Sequence, residues 1–284
     1  MTQLVELSKG LEALAAEGLK VYAITYDAQD ALAAFAAKYD IGYHLLADEG
    51  SEVIRRYGIL NTLIDPDDPN VHPQTGQSFY GIPFPGTYVT DENGVVTEKF
   101  FFRHYANRAS AGTILDSALG EMLVHEEAPH AEAREQMATF AASLADEALR
   151  LEVTSHLRLR IDMEEGFHVY ADPLPDGFIA TTVEVVPTPG LRVGEVVYPA
   201  TRRKAFPELG VELNVYEDGA VVEVPVTVTF ETLDWARQNA GDPGSIRVPL
   251  RVHYQACSET VCYRPRTAEI EVDVPLAPLV MPGG

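Results

Sequence analysis

Cys257 and Cys262 are the two cysteines of this 284-residue chain. They lie in the stretch Val252-His253-Tyr254-Gln255-Ala256-Cys257-Ser258-Glu259-Thr260-Val261-Cys262-Tyr263-Arg264-Pro265. Strand-like sequence flanks the pair on both sides, which places it at the neck of a hairpin loop. A bridge there closes a ring of about six residues, for which chain entropy gives only about 2 kcal/mol. A structural staple stabilises more when it joins distant strands. The spacing therefore favours a pair that cycles between dithiol and disulfide. A local structural disulfide, or two reduced thiols, is an equally open reading. Exchange needs a thiolate that attacks a disulfide sulfur, so one of the two must be accessible and able to lose its proton. Tyr254, Tyr263 and Arg264 are near enough in sequence to shape the local field, or simply to pack on the hairpin.

Other chemistry finds little support. His125 and His130 with Glu126, Glu127 and Glu132 have ligand types for a metal, but an acidic, solvated linker explains them. Asp65-Pro66-Asp67-Asp68-Pro69 lacks the Gly and terminal Glu of a calcium loop and reads as a surface turn. His168 lies in a strand pattern and reads as a structural histidine. Phosphate loops, dinucleotide fingerprints, zinc-protease motifs and nucleophile elbows are not found, so no metal and no cofactor is expected. Asp and Glu number 43 against 21 Lys and Arg, a formal charge of −22. Such a chain repels phosphate backbones, which argues against nucleic-acid binding. Hydrophobic content of 46% and charged content of 23% are those of a globular chain rather than a disordered one. No run approaches the ~18 apolar residues of a membrane span. Met1-Thr2-Gln3-Leu4-Val5-Glu6 carries no export signal.

The elements that must position the pair fall into two patterns. In the first ~120 residues helix and strand alternate. Leu4, Leu7, Leu11 and Leu14 recur at helical spacing, so residues 2–16 read as one amphipathic helix ending at Gly18. Leu19–Thr25 reads as a buried strand, residues 28–39 as a helix with Leu32, Phe35 and Tyr39 on one face, and Tyr43–Ala47 as a second strand. Ser51–Tyr57 reads as a short helix with Ser51 as its N-cap. Thr87–Thr90 and Val95–Phe102 form a hairpin across Asp91-Glu92-Asn93-Gly94. Residues 109–123 close the unit as a helix. Residues 124–150 read as an acidic linker, then a helix to about Leu149. From 151 the pattern is all β. Leu157–Ile161, Thr182–Val186, Val221–Phe230, Ile246–Tyr254 and Thr267–Val274 alternate between turn signals, which suggests a sandwich.

Tyr254-Gln255-Ala256-Cys257, four residues, Cys262 and then Pro265 resembles the signature of the amino-terminal periplasmic domain of DsbD and its disulfide-corrector relatives. Gly166-Phe167-His168-Val169-Tyr170-Ala171 resembles that family's Gly-aromatic-His-x-Tyr strand. Val193-Gly194-Glu195-Val196-Val197-Tyr198-Pro199, with Val215-Tyr216-Glu217, resembles its central segment. The resemblance covers about residues 150–276. It implies an immunoglobulin-like sandwich whose surface Cys pair exchanges disulfides with partner proteins. It also implies a cap loop that shields the pair, at Phe206-Pro207-Glu208-Leu209-Gly210, with Leu209 at or beside the position of the family's aromatic residue.

Lys20-Val21-Tyr22-Ala23-Ile24-Thr25-Tyr26-Asp27, Phe35, Leu45-Leu46-Ala47-Asp48 and Tyr57-Gly58-Ile59 resemble the redoxin (AhpC/TSA peroxiredoxin) pattern. Gly86-Thr87-Tyr88-Val89-Thr90-Asp91-Glu92-Asn93-Gly94-Val95-Val96 continues it. The resemblance implies a thioredoxin fold over about residues 1–120. In that family the catalytic Cys lies at the start of the first long helix, where the helix dipole favours its thiolate. Gln3-Leu4-Val5-Glu6-Leu7 is similar to the segment just after that motif, and no Cys occurs in this region. Pro85 resembles the cis-proline that faces the active-site Cys in thioredoxin-like proteins, with Pro83 as its rival.

The expected architecture is an amino-terminally incomplete α/β thioredoxin-like fold (1–123), the linker and helix (124–150), and an all-β immunoglobulin-like sandwich (151–284). The expected function is thiol–disulfide exchange, with Cys257 and Cys262 as the pair and Tyr254, Tyr263 and Pro85 in support. The expected partner is a thioredoxin-like or membrane thiol–disulfide protein. The alternatives are a thiol peroxidase whose catalytic Cys lies upstream of Met1, and a non-catalytic interaction module. The resemblance implies an extracytoplasmic, periplasmic location. In-frame sequence upstream of Met1 is expected to supply a Cys-bearing motif, a strand and an export signal.

Overall fold

The computed structural model describes residues 2–72, 76–101, 107–119, 128–207, 210–239 and 244–278. Contacts divide the chain into two compact units, one reaching Met122 and one over Leu123–Leu279. Among the described residues no helix is long and apolar enough to cross a membrane.

The first unit runs α1 (Thr2–Lys9), α2 (Leu11–Ala16), β1 (Tyr22–Thr25), α3 (Gln29–Tyr39), β2 (His44–Ala47), α4 (Glu52–Arg56), β3 (Gly86–Thr90), β4 (Val96–Phe101), β5 (Arg108–Ala109) and α5 (Ala111–Leu119). The expected single helix over 2–16 is two helices. Gly10 separates them, a residue with poor helix propensity at the break. Leu7 and Leu14 are still buried, one on each helix. β1 and β2 pair in parallel, Tyr22 opposite His44 through Thr25 opposite Ala47. A parallel pair needs a crossover, and α3 supplies it. β3 and β4 form the expected hairpin. Asp91 Oδ1 accepts from the N–H groups of Asn93 and Val95, and Gly94 takes the positive φ the turn demands.

Ser51 is the N-cap residue of α4, as expected, but its side chain does not cap the helix. It sits at φ 54 and its hydroxyl donates to the Gly81 carbonyl. Asp48 caps instead: its carboxylate accepts from the N–H groups of Glu52, Val53 and Ile54. An ionised acceptor on three orphan donors is a stronger cap than a hydroxyl. Asp48→Ala should therefore destabilise this unit by about 1–2 kcal/mol, and Ser51→Ala by less. Paired urea melts of the two variants check the order.

The second unit contains β6 (His130–Glu135), β7 (Ala138–Leu144), β8 (Val153–Met163), β9 (His168–Tyr170), β10 (Thr182–Val185), β11 (Arg192–Val193), β12 (Arg202–Phe206), β13 (Val211–Tyr216), β14 (Ala220–Thr227), α6 (Phe230–Asn239), β15 (Ser245–Tyr254), β16 (Ala256–Cys257) and β17 (Arg266–Pro275). One sheet has the order β11-β14-β8-β7-β6 and another β10-β15-β17. Their inward residues form one core. Phe140, Leu157, Leu159, Ile161, Val222, Val224 and Val226 come from the first sheet. Ile246, Val248, Leu250, Val252, Ile270, Val272 and Val274 come from the second. The strict alternation along β17 and most of β15 is what a half-buried strand produces.

Two expectations are corrected. The helix ending near Leu149 is instead the β6–β7 hairpin, with Met137 at φ 65 in its turn. Ala138, Phe140, Ala142 and Leu144 alternate inward along β7, so burial at period two overrides the helix propensity of an Ala- and Glu-rich segment. The strand expected to reach Phe230 ends at Thr227, and α6 follows with Thr232 and Ala236 buried.

A third sheet, β12-β13-β9-β16, carries Cys257. β9 pairs β13 on one side and β16 on the other.

Candidate functional site

Cys257 ends β16, and Cys262 returns beside it across the loop Ser258-Glu259-Thr260-Val261. The two form a disulfide with Cα atoms 4.1 Å apart. Backbone bonds close the neck on both sides, Ser258 N–H to Val261 O at 2.7 Å and Tyr263 N–H to Ala256 O at 2.9 Å. The Ser258 hydroxyl accepts from the N–H groups of Thr260 and Val261, an ordinary turn device. The two ends of the bridge differ in exposure. Cys257 is 0% exposed, whereas Cys262 is exposed beside the exposed Val261.

Alternation along β9 builds the floor of the site. Val169 points into the sandwich core, and Tyr170 points to the other face. There Tyr170, Phe206, Leu213, Val215 and Cys257 make a separate buried cluster, with Phe178, Leu174 and Val211 packed on it. The Tyr170 ring meets Phe178 edge-on at 5.3 Å, Phe206 at 6.2 Å and His168 at 5.4 Å. Its hydroxyl lies 3.6 Å from Cys262 Sγ. Burial raises the Tyr170 pKa, so the phenol keeps its proton and can donate to that sulfur.

His168 is cross-strand partner to Cys257 and is itself 0% exposed. Neither ring nitrogen has a hydrogen-bond partner among the described residues. Burial and the nearby Lys204 push its pKa down to about 4, with Glu217 opposing. The unfolded chain therefore binds this proton first as pH falls. Stability from this group is full above about 6.5 and declines toward about 4, by at most about 3 kcal/mol. Denaturant melts across that window should show wild type losing more stability than His168→Phe.

The other expected residues are dispersed. Tyr254 is in the sandwich core, edge-on to Phe140 at 4.7 Å, and burial pushes its pKa up to about 12. Tyr263 stacks on Phe167 at 5.9 Å, and its carbonyl accepts from the Gln255 side chain. Arg264 is exposed. Pro85 precedes β3 in the first unit, and the expected cis bond is absent there and at Pro83. The cis bond among the described residues is Asp172–Pro173. The Leu60–Pro83 bridge and the Phe84 N–H bond to Ile59 O hold this segment extended, which suits trans proline. Of the expected cap loop, Phe206 packs in the cysteine cluster. Glu208 and Leu209 lie outside the described residues, as do His125, Glu126 and Glu127. No group of three potential metal ligands occurs among the described residues. Asp65 and Asp68 accept from the N–H groups of Asp67 and Asn70, the turn contacts their sequence implies. Sequence reasoning read His168 as a structural histidine and gave Tyr170 no role at the site. Their signal was the Gly166-x-His168-x-Tyr170 spacing on one strand.

Residues 1–99 match the AhpC/TSA family, and residues 137–274 match the family described as thiol:disulfide interchange protein DsbD, N-terminal. Over 79 residues the chain is 34% identical to the chloroplastic peroxiredoxin Q of Sedum lineare. That match spans 28% of this chain and 34% of the relative, about a third of the relative's length. Among solved structures, the N-terminal periplasmic domain of ScsB from Proteus mirabilis aligns at 11% identity and a TM-score of 0.34, over 51% of this chain and 49% of that one. The reduced DsbD N-terminal domain of Neisseria meningitidis aligns at 17% identity and a TM-score of 0.29, over 54% of this chain and 91% of that one. The chain thus joins a thioredoxin-like α/β region that resembles the AhpC/TSA redoxins to an immunoglobulin-like β-sandwich that resembles the DsbD amino-terminal domain.

Proposed function

We propose that this protein exchanges thiols and disulfides with a partner protein through Cys257 and Cys262. The two family matches support a thiol–disulfide redox role. The observation that carries the finer reading is the unequal exposure of the bridge. A partner thiolate approaching from solvent meets the Cys262 sulfur. A bond forms between the partner sulfur and Cys262, the Cys257–Cys262 bond breaks, and the electron pair leaves on Cys257. In the reverse direction the Cys257 thiolate attacks the mixed disulfide and releases the partner as a thiolate. The short loop lets the bridge open without unfolding the strands. The Tyr170 hydroxyl orients Cys262, and Val261 offers an apolar contact beside it. By the resemblance the partner is a thioredoxin-like or membrane thiol–disulfide protein. The test is an insulin-disulfide reduction assay driven by a thioredoxin-like donor. Wild type should accelerate it, and the Cys257→Ala/Cys262→Ala chain should fall to background. Activity retained by the double variant would place the chemistry elsewhere.

A second reading, a thiol peroxidase, is favoured by the 34% identity to a peroxiredoxin Q. It needs a peroxidatic sulfur, and residues 1–122 contain no Cys. Thiol-dependent peroxide consumption by this chain is therefore expected to be absent. Turnover of peroxide by the double Ala variant would reverse that order of preference.

A further inference from the structure

His168 is a buried, ionisable residue whose ring nitrogens have no hydrogen-bond partner among the described residues, and its cross-strand partner is Cys257, the cysteine whose sulfur exchange releases. Residues directly opposite in an antiparallel pair project to the same face, so His168 and Cys257 share one side of the β9–β16 ladder. Tyr170, two residues on, shares that face. The imidazole is packed by Phe206 at 5.2 Å and Tyr170 at 5.4 Å. A buried polar group without a partner is costly and needs an explanation. Here the sulfur of its cross-strand partner, Cys257, is tied up in a disulfide, which is a weak acceptor. Opening the bridge turns that same sulfur into an anion.

We propose that His168 donates a ring N–H hydrogen bond to the Cys257 sulfur when the disulfide opens, and so holds the buried sulfur as a thiolate. This role rests on the exchange reading. The partner sulfur bonds to Cys262, the Cys257–Cys262 bond breaks, and its electron pair stays on Cys257, where hydration is denied by burial. The imidazole enters neutral, because burial and Lys204 on β12 disfavour its charged form more than Glu217 after β13 favours it. A neutral ring still has one N–H to give, and it keeps that proton throughout. The thiolate is consumed when it attacks the Cys262 mixed disulfide and reforms the bridge, or when it takes a proton from solvent. The other ionisable group of the cluster, Tyr170, has its hydroxyl at Cys262.

The test uses the Cys262→Ala chain, whose single thiol is Cys257, titrated by thiolate ultraviolet absorbance. Adding His168→Phe should lower the Cys257 acid constant about tenfold or more. His168→Gln, which keeps a donor, should restore most of it. A packing role alone would change the melting temperature without changing this constant. Equal acid constants with and without the His168→Phe substitution would overturn the proposal. Should His168→Phe not fold, the His168 ring 15N signals of the Cys262→Ala chain decide. They should move as Cys257 ionises, and signals that stay fixed while it ionises would overturn the proposal. The titration needs no partner protein. Loss of exchange in wild type would remove the exchange reading, whereas an unchanged Cys257 acidity removes only the role of His168.

Discussion

The Cys257→Ala chain should accumulate as a mixed disulfide with an oxidised partner, and the Cys262→Ala chain should accumulate essentially none. Cys262 is exposed and next to an exposed valine, so its lone thiolate can reach a partner disulfide. With Cys257 gone, no second sulfur of this chain resolves the adduct. A partner that keeps one active-site cysteine, oxidised as a disulfide with a small thiol, loses its leaving thiol to solvent and cannot resolve it either. Cys257 alone is beneath the aromatic cluster at 0% exposure, and an attacking sulfur there must first expose itself. Non-reducing electrophoresis with a thioredoxin-like protein of that single-cysteine form, followed by mass mapping of the adduct, reads both variants. Equal trapping by the two would remove the assignment of Cys262 as the sulfur that meets the partner. Alanine is the better replacement at 257, because a serine hydroxyl would be buried among apolar side chains.

Tyr170→Ala should cost about 3–5 kcal/mol of stability in the second unit. The ring is 1% exposed and is the meeting point of His168, Phe178 and Phe206, so truncation opens a cavity directly under Cys257. Tyr170→Phe keeps the ring and removes only the hydroxyl near Cys262 Sγ. It should melt close to wild type while altering the rate of exchange. Urea melts of the three chains, with exchange rates alongside, separate packing from contact with the sulfur. A Tyr170→Ala chain as stable as wild type would mean that the cluster does not support the site.

Much of the sandwich was legible because β15 and β17 alternate cleanly between core and solvent, and periodicity is what a sequence displays. The β6–β7 hairpin was not, because its buried face is largely alanine. Ala138 and Ala142 fill inward positions that composition assigns equally to a helix. Helix α6 was hidden by the apolar run Val226-Thr227-Val228-Thr229-Phe230. Its start is marked only by Thr229, whose N–H donates to the Thr232 hydroxyl. Ser51 was correctly placed at the N-cap position of α4, but the side chain that caps the helix, Asp48, follows the end of β2 and was not read as a cap. At the site, the Cys pair and its hairpin neck could be read from spacing. The unequal exposure of the two cysteines could not, since it depends on β9 pairing beside β16 and on the buried cluster that takes in Cys257. The state of His168 was hidden for the same reason: a histidine in a strand pattern is ordinary, and only the register with β16 places it opposite a sulfur. Tyr254, adjacent to the motif, took a core position because β15 alternation turns it inward.

The proposed exchange requires a disulfide that opens and closes within the folded protein. Its most direct test is a redox titration of the full chain in defined thiol–disulfide buffers. Free thiols are counted by mass after alkylation, and fold is followed by circular dichroism in the same samples. The predicted result is reversible conversion between the bridged and dithiol forms with the spectrum of the folded sandwich unchanged. A bridge that resists every buffer until the sandwich unfolds would contradict the account and leave Cys257 and Cys262 as a structural link.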